Sequence, residues 1–114
     1  MLGKIFRFHG HNSVRTAYRH GRPIRGGVGS LHVYSDPKHP GLKVAVVVSK
    51  KVSKSAVVRN RIRRRVFAVV QMLRPQLTSQ AELVFTVYDA KVASMPTDAL
   101  KDEITMLLTR GKLL

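Results

Sequence analysis

An apolar run that leads into an acid-free basic segment is the feature that most constrains this chain. Residues 47–65 carry eight Lys or Arg and no Asp or Glu. Exposed helices usually interleave Glu with Lys, because opposite charges three or four residues apart stabilise each other. A segment with positive charge alone repels itself until an anion neutralises it. The segment therefore predicts a surface that binds a phosphate polymer.

Apolar residues at helical spacing predict that most of this segment is a helix. Ser53 or Ser55 can cap its start, and Pro75 lies just past its expected end. The predicted core stripe spans about 80° of arc at ~100° per residue and consists of Val58, Ile62, Val66, Val69 and Leu73. A stripe this narrow leaves the rest of the helix surface for solvent or a partner.

The same projection predicts which side chains face that partner. Asn60, Arg63 and Arg64 lie opposite the core stripe, with the aromatic Phe67 beside them. Arginine suits bidentate contact to phosphate and stacking on bases better than lysine does. Lys50, Lys51 and Lys54 precede the helix N-terminus, whose free N–H groups already favour an anion. Arg59 and Arg65 flank the stripe, where we expect their stems to cover apolar surface while the guanidinium groups reach outward.

The charge of the whole chain is large and unevenly distributed. The formal net charge is +15, and residues 1–81 hold seventeen Lys or Arg against the single acid Asp36. Residues 82–114 hold four Lys or Arg against five acids. This asymmetry favours an anionic partner that docks on one side of the fold. The absence of cysteine excludes disulfides and thiolate metal sites, and we expect a soluble cytoplasmic chain without signal peptide or membrane span.

The remaining patterns predict a single α+β domain over residues 1–114. Residues 1–10 are expected to form an extended basic arm, and Asn12 or Ser13 can cap a short helix that ends near Gly21. Residues 22–27 suggest a turn or brief strand, and strands are expected over residues 28–35, 42–49 and 82–88. Thr97 can cap a last helix, whose apolar face comprises Leu100, Ile104, Leu107 and Leu108. The order is α-β-β-β-α-β-α, a sheet with helices packed on it.

The basic segment also resembles a known family signature. The motif is Ser49-Lys50-Lys51 followed, after a few residues, by Ala56-Val57-Val58-Arg59-Asn60-Arg61-Ile62-Arg63-Arg64. It is similar to the signature of the bacterial ribonuclease P protein subunit, a Lys-Lys strand end before an Arg-Asn-Arg helix. Element order and spacing extend this resemblance over roughly residues 10–110.

The resemblance implies a fold, partners and a division of labour. The fold would be an α/β sandwich with a mixed four-stranded sheet and a left-handed βαβ crossover, against the usual right-handed rule. The partners would be the catalytic RNA and precursor tRNA, with no membrane and no small-molecule cofactor. The RNA would remove the 5′ leader with bound Mg²⁺, held mainly by RNA and substrate, and this chain would supply no catalytic or metal-binding residue.

By position, the resemblance assigns two groups of binding residues. The RNA subunit would contact Lys50, Lys51, Lys54, Arg59, Asn60, Arg61, Arg63, Arg64 and Phe67. The single-stranded leader would lie in a cleft formed by Val14, Tyr18, Ser30, His32 and Tyr34. On a strand, Ser30, His32 and Tyr34 share one face, which can offer unpaired bases a stacking platform. The alternative for Tyr34 is an ordinary exposed aromatic on a sheet surface.

The chain departs from the family pattern at two positions. Val14 stands where members often carry an aromatic residue, so the cleft has one stacking platform fewer. Phe67 stands where they commonly carry a basic residue. Two hypotheses follow: Phe67 stacks on a base or ribose of the RNA subunit, or it packs against the N-terminal arm.

Other polar residues form no recognisable catalytic group. The five histidines are His9, His11, His20, His32 and His39, and no nearby carboxylate is placed to orient the His9–His11 pair as a base. The acids in residues 82–114 form no nuclease pair, and Asp102 with Glu103 suggests helix-start electrostatics. The alternative functions are a structural nucleic-acid-binding protein of ribosomal or nucleoid type and, third, an autonomous protein nuclease.

Overall fold

The computed structural model describes residues 21–34, 42–77 and 81–114. In chain order the elements are β1 (Arg22–Arg25), β2 (Gly29–Tyr34), β3 (Lys43–Val48), α1 (Ala56–Leu73), β4 (Glu82–Val87) and α2 (Thr97–Arg110). Short 3₁₀ helices cover Arg74–Gln76 and Ala90–Ala93. The three longer strands fall within one residue of their predicted ends. The predicted N-terminal arm and first helix, with Val14 and Tyr18, lie outside the described residues.

The four strands form one mixed sheet in the order β1-β2-β4-β3. β2 is antiparallel to both β1 and β4, whereas β3 runs parallel to β4. Helix α1 makes the crossover between these two parallel neighbours. The α+β class and the mixed four-stranded sheet are thereby confirmed. The hand of the crossover and the extent of the domain stay predictions.

One face of the sheet and both helices enclose the core. Leu31, Phe85 and Val46 are cross-strand partners, so their side chains share a face, and all three are buried. The buried residues that α1 contributes are Ile62, Val66, Val69, Val70 and Leu73. Those of α2 are Leu100, Ile104, Leu107 and Leu108, as predicted.

The core stripe of α1 was predicted correctly at four positions. Val58 is only partly buried against the core, and Val70 is fully buried although the projection omitted it. Helix α1 packs against β3 on one side and against α2 on another. Contact with two elements buries a wider arc of the helix than a single sheet would, which accounts for Val70.

The helix starts follow two different rules. The Ser55 hydroxyl accepts the Val58 N–H at 3.3 Å, so Ser55 caps α1 as predicted. The prediction that Thr97 caps α2 was wrong. Thr97 is the first helical residue, and the extended Pro96 (φ −57°, ψ 144°) precedes it and accepts the Leu100 N–H at 3.0 Å. The fixed φ of proline favours a helix start at this position without a side-chain hydrogen bond.

Within the described ranges, no helix combines the length and apolarity needed to cross a bilayer.

Candidate nucleic-acid interface

The start of α1 and the turn before it carry the predicted cationic surface. Lys50, Lys51 and Lys54 are exposed in the turn, as are Arg61 and Arg64 on the helix. The first turn of α1 contains no acidic residue. The free N–H groups and the positive end of the helix dipole therefore add to the lysine charge. The arrangement concentrates positive potential at one end of α1.

Asn60 and Arg63 are linked within this surface. The Arg63 Nη1 donates to the Asn60 Oδ1 at 2.6 Å, one helical turn away. Asn60 is exposed and Arg63 is partly buried. The bond restricts both side chains before any partner binds, which lowers the entropy lost on binding. Asn60 keeps its amide N–H₂ and Arg63 keeps further N–H donors for a partner.

Two arginines flanking the core stripe point differently from the prediction. The expectation that their guanidinium groups reach outward was wrong. The Arg59 Nη1 donates to the carbonyl of Ser53 at 2.9 Å and closes the turn before the helix. The Arg65 Nη1 donates to the carbonyl of Val92 at 2.6 Å, and its Nη2 donates to the carbonyl of Met95. Both side chains therefore make charge-assisted hydrogen bonds to backbone carbonyls, which are stronger than bonds between neutral groups.

Phe67 lies in a groove between α1 and the edge strand β3. The groove has a volume of about 920 Å³. Its described lining comprises Val44, Ala45, Val46, Val57, Asn60, Arg63, Arg64, Phe67, Ala68 and Gln71. Six of these ten residues are apolar, and none is acidic. Phe67 is partly buried and packs against the core. The groove therefore joins an apolar floor to the predicted RNA-binding face of the helix.

The predicted leader-binding residues of β2 occupy the opposite face of the sheet. Ser30 is buried at 9 % exposure, while His32 and Tyr34 are partly buried. Burial lowers the pKa of His32 below its ordinary value of 6.5, because desolvation opposes the charged imidazolium. The alternation predicted for β2 is confirmed, since Leu31 points into the core between Ser30 and His32.

The sequence reading missed Thr86 on this second face. Thr86 pairs with Ser30 across the β2–β4 ladder, and its hydroxyl is buried without a hydrogen-bond partner among the described residues. The strand pattern could have revealed it, since Glu82, Val84 and Thr86 alternate with the core residues of β4. The structure thus adds a polar group beside the predicted cleft.

The described residues offer few oxygen ligands to a metal ion. No three side chains of the His, Cys, Asp and Glu types lie together in residues 21–34, 42–77 or 81–114 as a metal site requires. Mg²⁺ prefers octahedral oxygen coordination with one or two carboxylates. The cationic surface described above does not fit that donor set.

Comparisons with known proteins relate the whole chain to one family. A family model described as Ribonuclease P matches residues 2–112. The ribonuclease P protein component of a Pseudanabaena species is 35% identical over 115 residues, covering 100% of this chain and 97% of that protein. The same component from Chloroflexus aurantiacus is 44% identical over 73 residues, covering 64% of this chain and 53% of that protein.

Solved structures match the fold. The RNase P protein of Staphylococcus aureus superposes with a TM-score of 0.81 at 16% identity, covering 95% of this chain and 96% of that one. The RNase P protein of Thermotoga maritima gives a TM-score of 0.80 at 13% identity, with 91% and 96% coverage. At such low identities the superpositions show a shared fold alone. The family relationship rests on the family model and on the relatives with similar sequences.

Proposed function

The chain belongs to the family of bacterial ribonuclease P protein components, and on that premise we propose that it binds two RNAs. One is the catalytic RNA of ribonuclease P, and the other is the single-stranded 5′ leader of precursor tRNA. This chain and the catalytic RNA would act together in the cytoplasm to remove the leader. The chain contributes positioning and charge neutralisation to this reaction.

The acid-free face of α1 is the observation that carries the proposal. The surface at one end of α1 consists of the exposed Arg61 and Arg64, the linked Asn60–Arg63 pair and the preceding lysines. Each phosphate neutralised there releases counterions, which supplies binding free energy without base specificity. Phosphate contacts of this kind also fix the register and orientation of a bound nucleic acid.

The opposite sheet face supports leader binding. Tyr34 and His32 lie two residues apart on β2, with Ser30 and Thr86 next along the same face. An aromatic ring accepts any base by stacking, and hydroxyl and imidazole groups supply hydrogen bonds to ribose and base edges. A partly buried strand face favours single strands over duplexes, because the bases of a duplex are already stacked. Val14 and Tyr18, which lie outside the described residues, would complete the cleft by resemblance.

The chemistry is assigned to the RNA subunit. Phosphodiester hydrolysis by bound Mg²⁺ requires clustered oxygen ligands, and RNA phosphates can supply them. On this chain, arginine and lysine donors would screen phosphate repulsion when the RNAs and metal ions assemble. The described residues accordingly have the role of binding and orientation, and no catalytic step is assigned to them.

Reconstitution tests the proposal directly. We expect the chain, added to its RNA subunit, to increase precursor tRNA cleavage most strongly at low Mg²⁺ concentration. We also expect precursors with several leader nucleotides to bind more tightly than mature tRNA. Tyr34→Ala should reduce that preference more than Tyr34→Phe, because phenylalanine keeps the ring that can stack on a base.

The alternative functions predict different outcomes. A structural nucleic-acid-binding protein would bind the RNAs without any dependence on the leader and without stimulating cleavage. An autonomous nuclease would cleave precursor tRNA in the absence of the RNA subunit. Either result would contradict the proposed function.

A further inference from the structure

The groove beside Phe67 combines features that a phosphate-binding surface alone does not need. Its floor is formed by apolar side chains from β3 and α1, including the buried Val46 and the partly buried Phe67. Its rim carries two amides, Asn60 and Gln71, and two guanidinium groups, Arg63 and Arg64. A volume of about 920 Å³ lies within the range of small-molecule sites, roughly 300–1,000 Å³.

We propose that this groove binds one unpaired nucleotide of the RNA subunit. The base lies against Phe67 and the apolar floor, the amides bond to its edge, and Arg64 contacts its phosphate. This inference rests on the proposed function, since it specifies how the same helix face recognises RNA. It assigns Phe67 to RNA binding.

The chemistry of the rim selects a nucleotide over an apolar peptide. Asn60 and Gln71 each present both a donor and an acceptor, the combination that base edges require. The Asn60 Oδ1 already accepts the Arg63 Nη1, so the Arg63 guanidinium is held at the groove. Two arginines without an acidic neighbour in the described lining complement an anion. An apolar floor with a cationic rim therefore matches a group that is flat, aromatic and charged at one end.

The position of the groove separates it from the predicted leader cleft. The groove lies at the edge strand β3, whereas Ser30, His32 and Tyr34 lie on β2. β4 lies between β2 and β3, so these two strands are separated by two inter-strand spacings, about 10 Å in total. The groove shares its lining residues Asn60, Arg63 and Arg64 with the surface proposed for the RNA subunit. The RNA subunit is therefore the source of the nucleotide.

Phe67→Leu tests the base contact, because leucine keeps apolar bulk against the core but removes the aromatic ring. Removing a base–aromatic stack weakens binding by about 5- to 150-fold when alanine replaces the ring. We expect Phe67→Leu to weaken RNA-subunit binding by at least about fivefold, with the salt dependence unchanged since no phosphate contact is lost. The matched control is Met72→Leu, an apolar substitution at an exposed position on α1 outside the groove.

A second variant narrows the groove without touching Phe67. Ala68 is exposed and lines the groove, so Ala68→Leu should also weaken RNA-subunit binding while leaving the thermal unfolding midpoint close to that of the unsubstituted chain. Equal affinities of Phe67→Leu, Ala68→Leu and Met72→Leu for the RNA subunit would overturn the inference. A lower unfolding midpoint for Phe67→Leu with unchanged affinity would also overturn it and would mean that the ring packs within the chain.

Two further measurements separate the sources of failure. If the unsubstituted chain does not bind the RNA subunit, the proposed function itself fails. If Phe67→Leu lowers the preference for precursor over mature tRNA while leaving RNA-subunit affinity unchanged, the groove binds leader and the inference is wrong. An unchanged preference with weaker RNA-subunit binding supports it.

Discussion

Arg64 and Arg65 are neighbours in sequence with opposite environments. Arg65 donates to the carbonyls of Val92 and Met95, which ties α1 to the 3₁₀ helix that follows β4. Arg65→Gln should therefore lower the free energy of unfolding by about 1–3 kcal/mol, because charge-assisted bonds to two carbonyls are lost. Urea denaturation measures this. Arg64→Gln should stay within ~0.5 kcal/mol, since Arg64 is exposed; equal losses at both positions would contradict the structure.

The different roles of these arginines mark the limit of projecting a helix. The angle of Arg65 beside the core stripe was correct, as its partial burial shows. Its hydrogen bonds depend on a turn 27 and 30 residues later in the chain. No local pattern places that turn against α1. The projection placed Asn60 and Arg63 on the same side of the helix but did not predict the bond between them, which spans a single helical turn.

His32 gives the described part of the fold a pH dependence of known sign. Its pKa is lowered in the folded chain by burial, so the unfolded chain binds the proton more readily. Stability is fully present above about pH 6.5 and falls as the pH drops through that value, levelling off below the lowered folded pKa. His32→Gln should remove this component. Urea denaturation between about pH 5 and pH 8 should show a smaller acid loss for His32→Gln than for the unsubstituted chain, and parallel curves would contradict the burial argument.

At the scale of elements, the β2–β4 ladder depends on a glycine. A Cβ added at Gly29 would lie 2.6 Å from the Thr86 carbonyl oxygen, a backbone atom in the paired strand. Gly29→Ala should therefore force the strands apart and destabilise the fold by about 1–3 kcal/mol. The matched control is Gly27→Ala, where the nearest atom is the Glu103 Oε1 at 3.2 Å, the end of a flexible side chain. A thermal unfolding comparison should show the larger loss at Gly29.

The elements themselves were more predictable than their pairing. Alternation identified β2, an apolar run marked β3, and the apolar stripe identified α1, since these patterns depend on local sequence alone. The order β1-β2-β4-β3 follows from which buried faces meet in space, which a period of two does not specify. Glu103 shows the same limit. It was assigned to helix-start electrostatics, but its carboxylate lies beside Gly27, next to the β1–β2 turn.

At the scale of the molecule, part of the charge excess is structural. The Arg22 Nη2 donates to the Gly111 carbonyl at 2.8 Å, and the Arg110 Nη1 donates to the Arg25 carbonyl at 3.1 Å. These bonds join the end of α2 to the edge strand β1. Arginines of this kind neutralise the negative end of the helix dipole. Net charge therefore overstates the number of phosphates the chain can contact. That number is better estimated from the exposed cationic side chains on α1 and in the turn before it.

Salt dependence measures that number for the whole molecule. With about six phosphates contacted, the logarithm of RNA-subunit affinity should fall against the logarithm of salt concentration with a slope near −5, at ~0.9 per contact. Arg64→Gln should weaken binding and bring the slope closer to zero by about one contact. Lys101→Gln is the control of equal charge change, because Lys101 is exposed on α2. A slope near zero for the unsubstituted chain would contradict electrostatic docking. Equal changes for Lys101 and Arg64 would mean that net charge, and not the α1 surface, determines binding.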